Sequence, residues 1–327
     1  MKPHIAVFAL GGTIAMAPRP EGGGVIPGLG AEDLVGGIRA WAEDITIEAH
    51  SVVALPSSSL SFAQVADVAS RARAAVASGA AGVVVTQGTD TIEETAFLLD
   101  LLLDLAAPVV VTGAMRAPSQ AGPDGPANLL AAVQTAASAE ARGAGVLVVF
   151  NDEIHAARFV AKRHTHKPSA LASPLVGPIG WIAEGRVRVA LKPAKPSPTF
   201  AWPGGDPPDV ALVPVALDDG GRLIRALLAD PPAGVVVQAM GAGHTPRTLA
   251  PALGELAAKV PVVLASRTGA GQTLRRTYGF PGGEIDLGDR GLISADGWDG
   301  PKARILLTLL LATGADHPSI AAAFDAG

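Results

Sequence analysis

The chain has no cysteine and a single tyrosine, Tyr278, and aromatic residues make up only 4% of it. Without cysteine there can be no disulfide, no thiolate metal site and no cysteine nucleophile. Scarce aromatics leave a core to be built from Ala, Val, Leu and Ile. Apolar residues are 49% of the 327, enough for a sizeable core, and the length suits two domains better than one. Basic charge is not in excess. The net charge of −5 gives no reason to expect nucleic acid or an anionic membrane as partner. Long apolar runs are missing too: Ile5–Leu10 is shorter than the apolar region of a signal peptide and leads directly into a glycine motif. Ile305–Leu311 falls far short of a membrane span. The expectation is a cytoplasmic protein with no membrane segment.

What the chain does have is alternation. Short β-branched runs at 5–10, 45–55, 82–86, 108–112 and 145–150 read as strands, and 31–42, 61–78, 92–105 and 126–141 read as helices. This pattern predicts an α/β fold with a larger N-terminal, mostly parallel sheet carrying helices on both faces. A hairpin is expected from Gly180–Ile182 to Arg186–Ala190, turning at Glu184-Gly185. Lys192–Pro208 holds six prolines and two glycines in seventeen residues and reads as a linker. A smaller C-terminal α/β domain follows, with strands at 210–215, 234–238 and 261–265 and helices near 221–229, 246–257, 301–313 and 318–325. The expected boundaries are therefore 1–191, 192–208 and 209–327. Pro18–Gly30, rich in glycine and proline and without periodicity, reads as a loop beside the first motif, placed as a lid would be.

Two segments concentrate chemistry at strand ends. The strand over 82–86 delivers Gln87-Gly88-Thr89-Asp90-Thr91, and the strand over 5–10 delivers Gly11-Gly12-Thr13-Ile14-Ala15. Ligands of open α/β sheets bind just outside the carboxyl ends of the strands, and glycine lets backbones approach closely there. Thr13 and Thr89 thus point to one shared site. Thr13 fits either a nucleophile needing a base or a helix cap or turn residue. Lys162, within Ala161-Lys162-Arg163, reads by itself as a surface strand residue. His164 and His166 could share a strand face, but no third ligand stands at metal spacing, so solvated residues are the better reading. Gly11-Gly12 could cradle a phosphate, yet no G-x-G-x-x-G and no P-loop lysine accompany it.

Taken together, Gly11–Ala15, Gly88–Thr91, Val109–Arg116, Asp124–Leu129, Val146–Asp152, Lys162, Ser266–Ala270 and Lys302–Leu307 resemble the bacterial-type L-asparaginases and glutaminase-asparaginases, in order and over nearly the whole chain. The resemblance implies an amidohydrolase of free L-asparagine, with L-glutamine as secondary substrate and no metal or organic cofactor. It implies Thr13 as nucleophile on the side-chain amide, Thr89 and Lys162 as a proton-relaying pair, and Asp90 as ligand of the substrate's α-ammonium. Ser57, with Ser58 second, would bind the α-carboxylate, and the backbone at Gly88 and Gly113-Ala114 would face the amide. Lys162 could act as a desolvated neutral base or as an ammonium that polarises Thr89; a neighbouring carboxylate favours the second. The family's sites lie between subunits, so a homo-oligomer, a tetramer of two close dimers, is expected. Glu284 and His244 would stand where a neighbouring subunit contributes. Leu10 and Gln87 replace the family's usual threonine and histidine, and the loop after the first motif lacks its usual tyrosine. Tyr278 could take that role or pack beside Phe280. The rival readings are a related amidase, such as an amidotransferase subunit releasing ammonia from glutamine for tRNA, and an amino-acid-binding module without chemistry. That subunit carries an extra N-terminal domain, for which a strand starting at Ile5 leaves no room.

Overall fold

The computed structural model describes residues 2–193 and 199–325, and the chain divides into two compact units, Met1–Lys195 and Pro196–Gly327. In the first unit the order is β1 (His4–Ala9), β2 (Met16–Pro18), β3 (Val25–Pro27), α1 (Ala31–Gly36), β4 (Thr46–Ser51), α2 (Phe62–Ala77), β5 (Gly82–Thr86), α3 (Ile92–Leu102), β6 (Val109–Thr112), α4 (Gly125–Ala137), β7 (Val146–Phe150), β8 (Glu153–Ala156), β9 (Ala161–Lys162), β10 (Leu171–Ala172), β11 (Gly180–Ala183) and β12 (Arg186–Val189). An eight-stranded sheet runs β12-β11-β8-β7-β6-β5-β1-β4. From β4 to β7 its pairs are parallel, and from β7 to β12 antiparallel.

The parallel strands are continuous apolar runs because both of their faces are covered. Every residue of β5, β6 and β7 is buried. Ile5, Val7 and Ala9 of β1 join one core with Val84, Val110, Leu147 and Leu129, the last from α4. Helices α2 and α3 pack on β5, β6 and β7 as well. Helix α2 starts at Ser61, whose hydroxyl accepts from the Gln64 amide while Gln64 Oε1 accepts from the Ser61 amide, a reciprocal cap.

The second unit holds β13 (Val210–Pro214), α5 (Arg222–Ala229), β14 (Gly234–Ala239), α6 (Ala250–Ala257), β15 (Val262–Ser266), α7 (Glu284–Asp289), β16 (Ile293–Ser294), α8 (Gly300–Ala312) and α9 (His317–Asp325). Its four strands form a parallel sheet in sequence order. Its own core includes Val213, Val235, Val237, Leu253, Leu264 and Leu287.

Several expectations are corrected. Pro18–Gly30 is not all loop: β2 and β3 pair antiparallel with Met16 opposite Pro27, because backbone groups make a ladder without any side-chain period. The helix expected over 31–42 stops at Gly36-Gly37, where glycine weakens the helix. A 3-10 turn, Arg39–Trp41, takes up part of the remainder. The helix expected over 126–141 ends at Ala137, and Ser138 caps a separate turn by accepting from the Glu140 amide. Helix α6 begins at Ala250, not 246, after a turn closed by Leu249 N–H on the Pro246 carbonyl. Residues 194–198 of the expected linker lie outside the described residues, and Thr199–Asp209 carries no helix or strand. Among the described residues no helix is long and apolar enough to cross a membrane.

Candidate active site

The sheet order fixes where a site can form. From β1 the chain goes to β4 on one side, then crosses back over β1 to β5 on the other. β1 and β5 are therefore neighbours whose connections leave in opposite directions, and the crevice at their carboxyl ends is the switch point at which open α/β sheets take ligands. Thr13 and Thr89 sit at those ends.

Close backbone packing draws the loops together. A Cβ on Gly12 would lie 2.0 Å from the Gly88 nitrogen, and one on Gly88 would lie 2.8 Å from Ser57 Oγ. One on Gly113 would lie 2.5 Å from the Gln87 carbonyl oxygen and 3.4 Å from Thr89 Cγ2. The turns after β1, β4, β5 and β6 thus share one small volume, and it holds Thr13, Ser57, Gly88, Thr89 and Ala114.

Thr13 opens a 3-10 turn, Thr13–Ala15, whose N-cap position is held by Gly12 and not by Thr13. That removes the capping explanation for a threonine here. Thr89 opens another such turn, Thr89–Thr91, and is buried. Lys162 Nζ donates to Thr89 Oγ1 at 2.9 Å and to Asp90 Oδ1 at 2.6 Å. The Lys162 side chain is 16% exposed and that of Asp90 69%. A cleft of about 420 Å³ lined by Asp90, Lys162, Arg163, His164 and Thr165 opens beside the pair, a size that suits a small molecule. Ser57 is buried and its hydroxyl has no protein partner, whereas Ser58 is exposed.

Residues 4–195 match the family description "Asparaginase, N-terminal", and residues 209–324 match "Glutaminase/Asparaginase C-terminal domain". The chain belongs to the asparaginase family. It is 38% identical to a probable L-asparaginase of Deinococcus radiodurans over 99% of this chain and 98% of that one. It is 33% identical to an L-asparaginase of Bacillus licheniformis, over 96% and 97%. The crystal structure of a probable cytoplasmic L-asparaginase from Campylobacter jejuni superposes over all of both chains with a TM-score of 0.89 at 30% identity.

Within this asparaginase-family chain, three supports of the site carry no signal in composition or period. Glu93, in the first turn of α3, accepts the Lys162 amide at 2.6 Å and so fixes β9 beside the Thr89 turn. Asp124 accepts the amides of Met115 and Arg116, and Asn128 donates to the Gly113 carbonyl at 3.0 Å while accepting the Asn151 amide at 3.0 Å. These two residues clamp the loop that carries Ala114. Asp124, at the cap position of α4, and Asn128, in its first turn, stand four residues apart within Asp124–Leu129, and that motif is their one mark in the sequence.

The second unit gathers its three candidates. Glu284, at the start of α7, is buried, and its Oε1 accepts the amides of Thr277 and Tyr278 at 2.8 and 2.7 Å. Burial pushes the Glu284 carboxyl up, but the backbone amides of Tyr278, Thr277 and Glu284 itself, together with the His244 ring, hold it below the ordinary carboxylate range. His244 Nε2 lies 3.3 Å from Glu284 Oε2. The His244 ring meets Tyr278 edge-on at 4.8 Å and Phe280 at 5.1 Å. In the first unit, His164 Nδ1 is occupied by the amides of His166 and Lys167 at 3.2 and 3.3 Å. Among the described residues no group of three or more His, Cys, Asp or Glu could hold a metal ion.

Proposed function

We propose that this protein hydrolyses L-asparagine to L-aspartate and ammonia, with L-glutamine as a secondary substrate. The reading is carried by the close approach of the Gly12 and Gly88 backbones, which brings the Thr13 turn beside the Thr89–Asp90–Lys162 cluster at the switch crevice, in a chain of the asparaginase family. Thr13 Oγ attacks the side-chain amide carbon, ammonia leaves with the proton that Thr13 gave up, and an acyl-enzyme ester remains. Water adds to the ester, releasing aspartate and returning the proton to Thr13. Lys162 stays an ammonium and makes the Thr89 hydroxyl a stronger donor. Asp90 meets the α-ammonium, and Ser57, with its unpartnered hydroxyl, meets the α-carboxylate. The backbone at Gly88 and Ala114 faces the amide, and the β2–β3 hairpin closes over the pocket.

The domains are assigned as 1–191 and 209–327, joined by 192–208. A homotetramer acting in the cytoplasm accompanies this reading, in keeping with the probable cytoplasmic L-asparaginase of Campylobacter jejuni. Because Glu284 is held inward by the Thr277 and Tyr278 amides, the rim that this unit offers to a neighbouring subunit is His244, Tyr278 and Phe280. Tyr278 is assigned to the packing of that rim.

One observation favours a second reading. Met16–Gly30 contains no phenol, histidine or hydroxyl side chain to withdraw the Thr13 proton, which suits an amino-acid-binding module. Ammonia release from L-asparagine decides between the two. Thr13→Ala and Thr89→Val should each lower turnover at least about a hundredfold, the effect of losing a nucleophile or an acid–base group. Near-normal turnover in either folded variant would remove that residue from the mechanism.

A further inference from the structure

Gln87 stands between β5 and the Thr89–Thr91 turn and is fully buried. Its side-chain nitrogen donates to Thr91 Oγ1 at 3.3 Å and to the Gly88 carbonyl at 3.2 Å. Its side-chain oxygen is sealed from solvent and has no partner. The Thr91 hydroxyl in turn donates to the Ser57 carbonyl at 3.1 Å, across 34 residues of chain. That carbonyl also takes the Leu60 amide at 3.1 Å, closing the turn Ser57–Ser59. The direction of donation is fixed at every link, because an amide NH₂ only donates and a carbonyl only accepts. Among protein partners the Gln87 side chain therefore bonds through its donor end alone.

We infer that Gln87 and Thr91 form a positioning relay that sets the Ser57 turn, and with it the Ser57 hydroxyl, against Gly88 at the substrate pocket. The inference rests on the proposed role of Ser57 as ligand of the substrate's carboxylate. Its structural footing is separate: the relay ties the turn after β4 to the turn after β5, and the Ser57 hydroxyl it aims is buried with no protein partner. Neither Gln87 nor Thr91 needs to touch the reacting atoms for this.

Thr91→Val removes the hydroxyl at nearly constant shape, Thr91→Ser restores it, and Gln87→Met removes the donor while keeping volume. The loss of one oriented hydrogen bond should raise KM for L-asparagine about fivefold to tenfold in Thr91→Val and Gln87→Met. The inhibition constant for L-aspartate should rise by the same factor, kcat should change less than about twofold, and Thr91→Ser should resemble the parent. A lowered melting temperature with unchanged KM and unchanged aspartate inhibition would show a merely structural role and overturn the inference. A fall in kcat at constant KM would overturn it as well. Amide hydrogen exchange is read in parallel: Thr91→Val, but not Thr91→Ser, should speed exchange at Ser57–Leu60, and unchanged rates would also overturn it. If the parent releases no ammonia from asparagine, the functional reading fails on that assay alone, and exchange still decides whether the relay holds the turn.

Discussion

A histidine sealed inside a sheet has to remain neutral, and His155 is in that position. It lies on β8 with no exposed surface, and its Nδ1 shares a 2.9 Å hydrogen bond with Ser173 Oγ. Burial pushes its pKa down from 6.5 to about 4. The unfolded chain therefore takes up a proton between pH 6.5 and 4 that the folded chain refuses. Stability from this group is complete above about pH 6.5 and is lost as pH falls towards 4. At about 1.36 kcal/mol per pKa unit the full loss is at most roughly 3 kcal/mol. Urea unfolding at pH 7.5 and 4.5 should show this loss in the parent and a smaller one in His155→Gln; equal losses would place the titration elsewhere. Side chains of this kind are hard to read from sequence. Thr13, Thr89 and Asp90 stood out through motifs and Lys162 through the family resemblance alone, but nothing in period or composition marks Gln87 or Glu93. Their partners are fixed by the fold, and Glu93 meets Lys162 across 69 residues.

Strand-end loops that share one volume make their glycines unequal. Gly12 has φ 82° and ψ −176°, a conformation close to glycine-only, and a Cβ there would strike the Gly88 and Gln87 backbone between 2.0 and 2.5 Å. Gly22, at the hairpin tip, has φ 79° and nothing within 4 Å. Gly12→Ala should therefore cost at least about 2 kcal/mol more than Gly22→Ala, since it adds a steric clash to backbone strain. Urea midpoints of the two variants test this, and equal costs would mean that the β1 and β5 loops can separate without penalty. Strands such as β5 and β7 were legible because burial on both faces demands unbroken apolar runs. The turn at Glu184-Gly185 was legible because both residues must adopt positive φ, here 50° and 71°. Elements held only by backbone pairing, such as β2–β3 and the two-residue β10, leave no pattern in side-chain chemistry. Helix α7 was hidden for a related reason: six residues with one fully buried leucine carry no period to detect.

Each unit has a core of its own, which agrees with composition alone: an apolar fraction of 49% in 327 residues exceeds what one small core can absorb. The surface keeps a remainder. Trp41 is 67% exposed, Leu191 60% and Leu217 91%, and Trp181, Leu175 and Phe280 are also exposed. Fully covering a large apolar side chain is worth about 1.5–3 kcal/mol, so an association that buries several of these gains substantially before the cost of losing rigid-body freedom. Single exposed apolar residues are ordinary on monomers, and this argument alone would be weak. Together with a His244–Tyr278–Phe280 rim ordered by a buried Glu284, it supports an assembly in which one subunit's rim completes another's pocket. Light scattering should then give a tetramer of the 32.8 kDa chain. Dilution through the dissociation range should lower specific activity in step with the mass and shift tryptophan emission to the red as exposed indoles regain water. A monomer with full activity per chain would overturn both the tetramer and the shared site. A tetramer whose Phe280→Ala and His244→Ala variants keep full activity would retain the assembly and show that each subunit's pocket is complete by itself.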